Sequence, residues 1–238
     1  MTLIVHHLGI SQSERVVWLC EELGIDYELR KYNRSPLLGP PELKALHPLG
    51  SAPVIEDGNV KLAESAACVE YIAQTYGTGR FIISPGHKDY ADYLYWFHFA
   101  NGSFQPGLMM DSVVKLAGGT GEETGRSGDL LKRFKARLFV MLSLMDDRLA
   151  KAPWLAGDQF SAADIMMVFS LTTMRCFNPY DLSEYKNILA YLERVSARDG
   201  YRQARLKGDP GLDITLLAGA APPPMPRAPG LSEATSAK

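Results

Sequence analysis

Cysteine is scarce in this sequence, with three in 238 residues, and Cys20, Cys68 and Cys176 are too widely spaced to form a CxxC pair or a metal-ligating pattern. A disulfide framework is therefore not expected, no metal is called for, and the odd, dispersed count fits a reducing compartment. Neither sign of charge is in excess. With Lys+Arg 25 against Asp+Glu 27 and no basic stripe interleaved with aromatics, no field draws the chain to nucleic acid. No apolar run approaches the roughly 18–20 residues of a membrane span. The N-terminus carries His6 and His7 but no basic segment leading into an apolar signal stretch. A cytoplasmic protein without an integral membrane segment is expected, long enough for one large domain or two modest ones. No internal repeat is visible.

What is present falls into two parts. The first third alternates strand and helix signals. Leu3-Ile4-Val5 is a short apolar run, and Val16, Leu19, Cys20 and Leu23 follow at helical spacing. Gly24 supplies the stop, and Tyr27 to Lys31 alternates like a strand. A Pro-rich loop from Asn33 to Pro41, a short helix at Glu42–Leu46, a hairpin turning at Asp57-Gly58 and a helix from Ala66 to Tyr76 come next. The order βαβ, α, ββα predicts a small four-stranded α/β domain with parallel strands in its first unit. Everything beyond Ser84 is helical in pattern. A long aromatic-rich helix, Lys88 to Val114, is interrupted at Asn101-Gly102 and Pro106-Gly107. A glycine-rich insert spans Ala117 to Gly128, an amphipathic helix Leu130 to Ala150, and an almost wholly apolar, hence buried, helix starts at Ser161. Further helices are expected at Ile188–Val195 and Tyr201–Leu206. From 217 to 238 the composition turns to Ala, Pro and Ser, which predicts a disordered tail.

Ser11-Gln12-Ser13-Glu14-Arg15 is the stretch with most chemical content, because it stands between the first strand and the first helix. A hydroxyl there lies beside unpaired helix-start amides and the positive end of the helix dipole, where an anion such as a thiolate is stabilised. Ser11 and Glu14 also have the S-x-x-E spacing of a capping box, a purely structural role. Both readings stand at this point, and Ser13 competes with Ser11 because the helix start is uncertain by a residue or two.

Three separated stretches resemble cytosolic glutathione transferases. His47-Pro48-Leu49-Gly50-Ser51-Ala52-Pro53-Val54 is similar to the loop that carries that family's cis-proline. Ala63-Glu64-Ser65 resembles its Glu-Ser glutathione motif, and Trp154–Asp158 with Ser161–Asp164 resembles the capping box of its sixth helix. Order and spacing match over residues 1–210. With Trp18 to Gly24 added, the likeness is nearest to fungal and bacterial members that use an N-terminal serine.

The resemblance implies a thioredoxin-like N-terminal α/β domain, residues 1–79, followed by an all-helical domain, 86–216. It also implies glutathione as co-substrate, a small-molecule electrophile and a homodimer. Ala52 and Pro53 are then expected to present backbone groups to the cysteinyl part of an extended tripeptide. Ser65, a natural N-cap, offers an anion site to the γ-glutamyl carboxylate, and Glu64 pairs with its amino group. Ser51 departs from the pattern, since relatives place a basic residue there for the glycyl carboxylate; Lys44, Arg34 or His47 would have to substitute. Thioredoxins carry a CxxC where this chain has Ser11 to Glu14, so attack by a protein thiolate is excluded at that location. What remains is activation of an external thiol by Ser11, with Ser13 as the alternative. Tyr95, His98, Phe99, Ser103 and Phe104 are the sequence candidates for an apolar electrophile cleft. The expected function is glutathione conjugation, with peroxide reduction as a second activity. A non-catalytic, transferase-like binding or scaffold protein is the alternative.

Overall fold

The computed structural model describes residues 2–35, 38–116 and 126–225. Strand β1 (Leu3–Leu8) leads into helix α1 (Glu14–Leu23), then β2 (Tyr27–Tyr32), α2 (Pro41–Leu46), β3 (Val54–Asp57), β4 (Val60–Ala63) and α3 (Ser65–Thr75). The sheet order is β2-β1-β3-β4, with β1 and β2 parallel and the other pairs antiparallel. Gly24, at φ 66°, closes α1 in the left-handed conformation, and Gly58, at φ 59°, turns the β3–β4 hairpin.

The helical part comprises α4 (Tyr90–Phe99), a π-helical segment at Ala100–Phe104, α5 (Gln105–Leu116), α6 (Arg126–Leu149), α7 (Ala162–Leu171), a 3₁₀ turn at Thr173–Cys176, α8 (Lys186–Ser196), α9 (Asp199–Gly208) and α10 (Ile214–Ala218). The predicted long helix thus changes register where Pro106 removes a backbone donor. Gln105 N–H bonds back to Ala100 in the wider π pattern. Most of the glycine-rich insert, 117–125, lies outside the described residues.

Helix α7 is buried at every position, as its apolar sequence requires. Its start carries the expected capping box: Ser161 N–H donates to Asp164 Oδ2 at 2.9 Å, and the Leu155 amide and Tyr191 hydroxyl donate to Oδ1 at 3.0 and 3.1 Å. Burial lifts the Asp164 carboxyl to about 6 despite these donors. Its folded value lies above the unfolded one, so the stability linked to this group is full in acid and is lost as pH rises through about 6. The Ser161 hydroxyl, 3.2 Å from Oδ2, opposes that rise. Ser161→Ala should therefore lower unfolding free energy by about 0.5–2 kcal/mol, with a larger loss at neutral pH than in acid. Urea midpoints at the two pH values are the check.

Helix α1 differs from the expectation of one apolar face. It is buried on nearly all sides, because the sheet covers one side and α9 and α7 the other. The C-terminal stretch differs too. Arg175, fully buried, donates to the carbonyls of Gly219 and Ala220, the former at 2.9 Å, and Leu182 N–H also bonds Ala220. Residues 217–220 are thus built into the fold, against the expectation of a tail from 217; residues 226–238 lie outside the described set.

Candidate active site

The turn between β1 and α1 is held by three hydrogen bonds to two side chains. Arg34 donates to the carbonyls of Gly9 and Ile10 at 3.1 and 2.6 Å, and Ile10 N–H donates to Asp209 Oδ1 at 2.9 Å. Within it the Ser11 hydroxyl lies 2.7 Å from both the Leu8 carbonyl and Ser13 Oγ. Ser13 sits at the N-cap of α1 yet makes no capping bond. Its oxygen accepts from Leu8 N–H at 3.2 Å and lies 2.8 Å from His7 Nδ1. The far nitrogen of His7 is 3.2 Å from Asp209 Oδ2. Burial works to raise the Asp209 carboxyl, but the His7 ring, Arg205 and the Ile10 amide hold it below its ordinary value. Ser11 borders a cavity of about 510 Å³, whereas Ser13 is wholly buried behind it.

The Ser11–Glu14 capping box does not form. Glu14 turns instead to the helical domain, where its carboxylate accepts from Arg205 Nη1 and from the Thr173 hydroxyl, each at 2.7 Å. A buried guanidinium outcompetes a local backbone amide for this carboxylate because a charge-assisted bidentate contact is stronger than a single cap bond. Glu14 is consequently a domain tie.

Arg15 is fully buried on the other side of α1. It donates to Gln12 Oε1, Ser65 Oγ, Asn101 Oδ1 and Gln105 Oε1 at 2.9–3.1 Å and stacks over the Phe169 ring. Burial pulls its guanidinium down to about 9, against the attraction of Glu14. The π-helical segment is what brings Asn101 and Gln105, on consecutive turns, to face it. Ser65 is the first residue of α3, so its predicted N-cap role passes to Glu64, which takes φ 70°. The Ser65 hydroxyl is buried against Arg15 and Asn101.

Glu64 lines a second cavity of about 390 Å³ with Gln12, Asn101, Gln105 and Met109. Gln12, Gln105, Met109 and Val113 line both cavities, so the two form one groove running from Glu64 past Ser11 to Ala52 and Ser51. The Ala52–Pro53 bond is cis. Of the three cations considered beside Ser51, Lys44 and Arg34 line the groove and His47 does not. The aromatic candidates lie elsewhere. None of Tyr95, His98, Phe99, Ser103 and Phe104 lines the cavity beside Ser11. Phe104 stacks on Phe99 and is fully buried, Tyr95 stacks on Phe99, and His98 is exposed. The apolar wall comes from Met109 and Val113 on α5 and from Phe169, Met174 and Phe177.

Family models agree with this architecture. The glutathione S-transferase N-terminal domain matches residues 11–75 and the glutathione S-transferase C-terminal domain residues 119–199. Glutathione S-transferase 3 of Schizosaccharomyces pombe is 32% identical over 215 residues, covering 86% of this chain and 87% of that protein. The chain belongs to the glutathione S-transferase family. Glutathione S-transferase 1 of Saccharomyces cerevisiae is 26% identical over 85% of this transferase and 94% of its own length. The crystal structure of a glutathione S-transferase from Actinobacillus pleuropneumoniae superposes with a TM-score of 0.79 at 32% identity, covering 90% of this chain and 96% of that one. The transferase thus has the family's thioredoxin-like domain followed by its helical domain. No helix among the described residues is long and apolar enough to cross a membrane.

Sequence reading missed His7, Arg15, Asn101, Gln105 and Asp209 as parts of this site. Asp209 is 199 residues from the Ile10 amide it holds, a separation that no local pattern reports. Asn101 did leave a signal, as the first residue of an interruption in an otherwise helical stretch. The three cysteines are buried, and burial pushes each thiol up, so none competes as a nucleophile.

Proposed function

We propose that the transferase acts in the cytoplasm as a homodimer in which Ser11 activates the thiol of glutathione for attack on a hydrophobic electrophile. One observation carries this reading: Ser11 borders the groove just ahead of α1, in the cavity that it shares with Ala52 and that continues through Gln12 to the one lined by Glu64. A tripeptide laid along the groove places its γ-glutamyl end at Glu64, in front of the buried Ser65, its cysteinyl backbone on Ala52 and its sulfur at Ser11. Arg15 supports the γ-glutamyl carboxylate through Ser65, to which it donates at 2.9 Å. Lys44, exposed and on the groove, takes the glycyl carboxylate in place of the absent basic side chain at Ser51. Residues 1–79 then hold glutathione and residues 86–216 the acceptor, against Met109, Val113, Phe169 and Met174.

The thiolate forms a carbon–sulfur bond as the electrophile's leaving group departs, or adds to an activated double bond. Attack on a peroxide is a second use of the same anion. Apolar side chains exposed on α4 and α6, among them Leu94, Tyr95, Phe139, Val140 and Leu144, support the homodimer.

Calorimetric titration with glutathione, followed by turnover with a broad aromatic electrophile, tests the reading. Binding without turnover would instead indicate the scaffold alternative. Glu64→Ala and Lys44→Ala should each weaken glutathione binding about 10- to 150-fold, the loss of one charge-assisted hydrogen bond, with circular dichroism unchanged. Undiminished affinity in both would move the tripeptide out of this groove.

A further inference from the structure

A buried chain of four side chains begins at Ser11 and leads away from the groove. Ser11 Oγ is 2.7 Å from Ser13 Oγ, which is 2.8 Å from His7 Nδ1, and His7 Nε2 is 3.2 Å from Asp209 Oδ2. All four residues are at least nine-tenths buried, and only Ser11 meets the groove. We infer that Ser13, His7 and Asp209 form a proton relay, in which the thiol proton of glutathione is drawn through Ser11 and Ser13 onto the imidazole and held there against Asp209. The inference rests on the assignment of Ser11 as the hydroxyl that meets the glutathione sulfur.

The Ser11 hydroxyl has one proton and two acceptors at 2.7 Å, the Leu8 carbonyl and Ser13 Oγ, and the relay runs in the rotamer that turns this proton from Leu8 to Ser13. Asp209 Oδ1 is occupied by the Ile10 amide, and Oδ2 stands 3.2 Å from Nε2 as a charge contact outside hydrogen-bond alignment, so the carboxylate favours a proton on Nε2 through its charge. His7 Nδ1 is then an acceptor, and the Ser13 hydroxyl donates to it. Ser13 oxygen in turn accepts from the Ser11 hydroxyl, and Ser11 oxygen is left to accept the thiol proton. Transfer moves three protons by one position each. The S–H bond breaks as Ser11 gains that proton, Ser11 passes its own to Ser13, and Ser13 passes its own to Nδ1. The products are a thiolate that accepts from Ser11 and an imidazolium paired with the Asp209 carboxylate. Total charge is conserved, and every hydroxyl ends with a partner.

Ser13 itself argues against a merely structural network. It stands at the N-cap of a ten-residue helix and makes no capping bond, forgoing about 0.5–2 kcal/mol that a serine there ordinarily supplies. Its hydroxyl is turned back to the imidazole instead. The remaining charged groups around this end of the chain are already engaged. Arg205 on α9 is paired with Glu14, Arg34 after β2 holds the Gly9 and Ile10 carbonyls, and Lys31 on β2 donates to the Lys207 carbonyl. Gly208 leaves the ring its room, since a Cβ there would stand 3.1 Å from Nε2.

The test measures thiolate absorbance and proton release together as glutathione binds across the neutral pH range, with S-methylglutathione as the blank. Wild type should form thiolate while releasing well under one proton for each. Ser13→Ala cuts the chain. Asp209→Asn keeps the bond to Ile10 but presents an amide N–H to Nε2, which reverses the tautomer and closes Nδ1 as an acceptor. In both variants the thiolate titration should move to higher pH, and each thiolate formed should release about one proton to buffer, with S-methylglutathione affinity unchanged. His7→Gln should behave alike. Wild-type titration and proton release in both Ser13→Ala and Asp209→Asn would overturn the relay. If those two are unchanged while Ser11→Ala loses the thiolate, Ser11 stands and only the relay falls; no thiolate in wild type would remove both.

Discussion

Ser11→Ala should lower kcat/KM for conjugation by about 10²–10³-fold, the scale of losing one preorganised donor to a developing or resident anion, while glutathione affinity changes little. The reason lies in where the hydroxyl is placed. A free thiol, with a pKa of about 8.5, is mostly protonated at neutral pH. Ser11 stands just ahead of the first turn of α1, where the helix dipole favours negative charge. A hydroxyl donating to sulfur favours the anion further, and its removal raises the pKa of the bound thiol. The rising limb of the pH–rate profile should therefore shift to higher pH in the variant, in step with the thiolate absorbance. Ser11 contacts no other part of the tripeptide in this reading, so KM should move far less than kcat. An unchanged titration would take Ser11 out of the mechanism.

Glu14→Ala should cost about 3–5 kcal/mol of stability, because truncating one member of a buried ion pair strands the other. Arg205 is fully enclosed and donates through both terminal nitrogens to Glu14, which keeps its guanidinium strongly protonated. At about 2–4 °C for each kcal/mol in a chain of this size, thermal unfolding should come visibly earlier. The pair itself is not indispensable. Replacing both members, Glu14→Leu with Arg205→Met, should recover most of the loss, since apolar groups of similar volume carry no desolvation penalty. A single variant as stable as wild type would show that water reaches Arg205 and that the tie is weak.

These two residues, three apart in sequence, show what the chain discloses by itself and what it does not. The strand, turn and helix around Ser11 follow from apolar periodicity and a glycine stop, and the cis bond at Pro53 and the hairpin at Asp57-Gly58 follow from motif and turn chemistry. Glu14 carried the right spacing for a local cap, but its partner is 191 residues away, and tertiary charge pairing overrode the local rule. Arg15 was invisible for the same reason, with acceptors contributed by α3, the π-helical segment and α5. The acceptor wall was misplaced by a register effect. An interruption is expected at Asn101-Gly102, but not its form, a wider turn at Ala100–Phe104 that sets the orientation of α5 beyond it. Met109 and Val113 face the groove as a result, while Phe99 and Phe104 pack inside.

Arg175 gives the far end of the chain a bearing on chemistry that its composition conceals. Its guanidinium clasps the carbonyls of Gly219 and Ala220, and its neighbour Met174 forms part of the groove wall. A protease that trimmed the Ala- and Pro-rich stretch back past Gly219 would leave the buried Arg175 charge with the Tyr180 carbonyl as its remaining acceptor, one residue from the groove wall at Met174. Such a shortened enzyme would be changed in its choice of acceptor before it was changed in its fold.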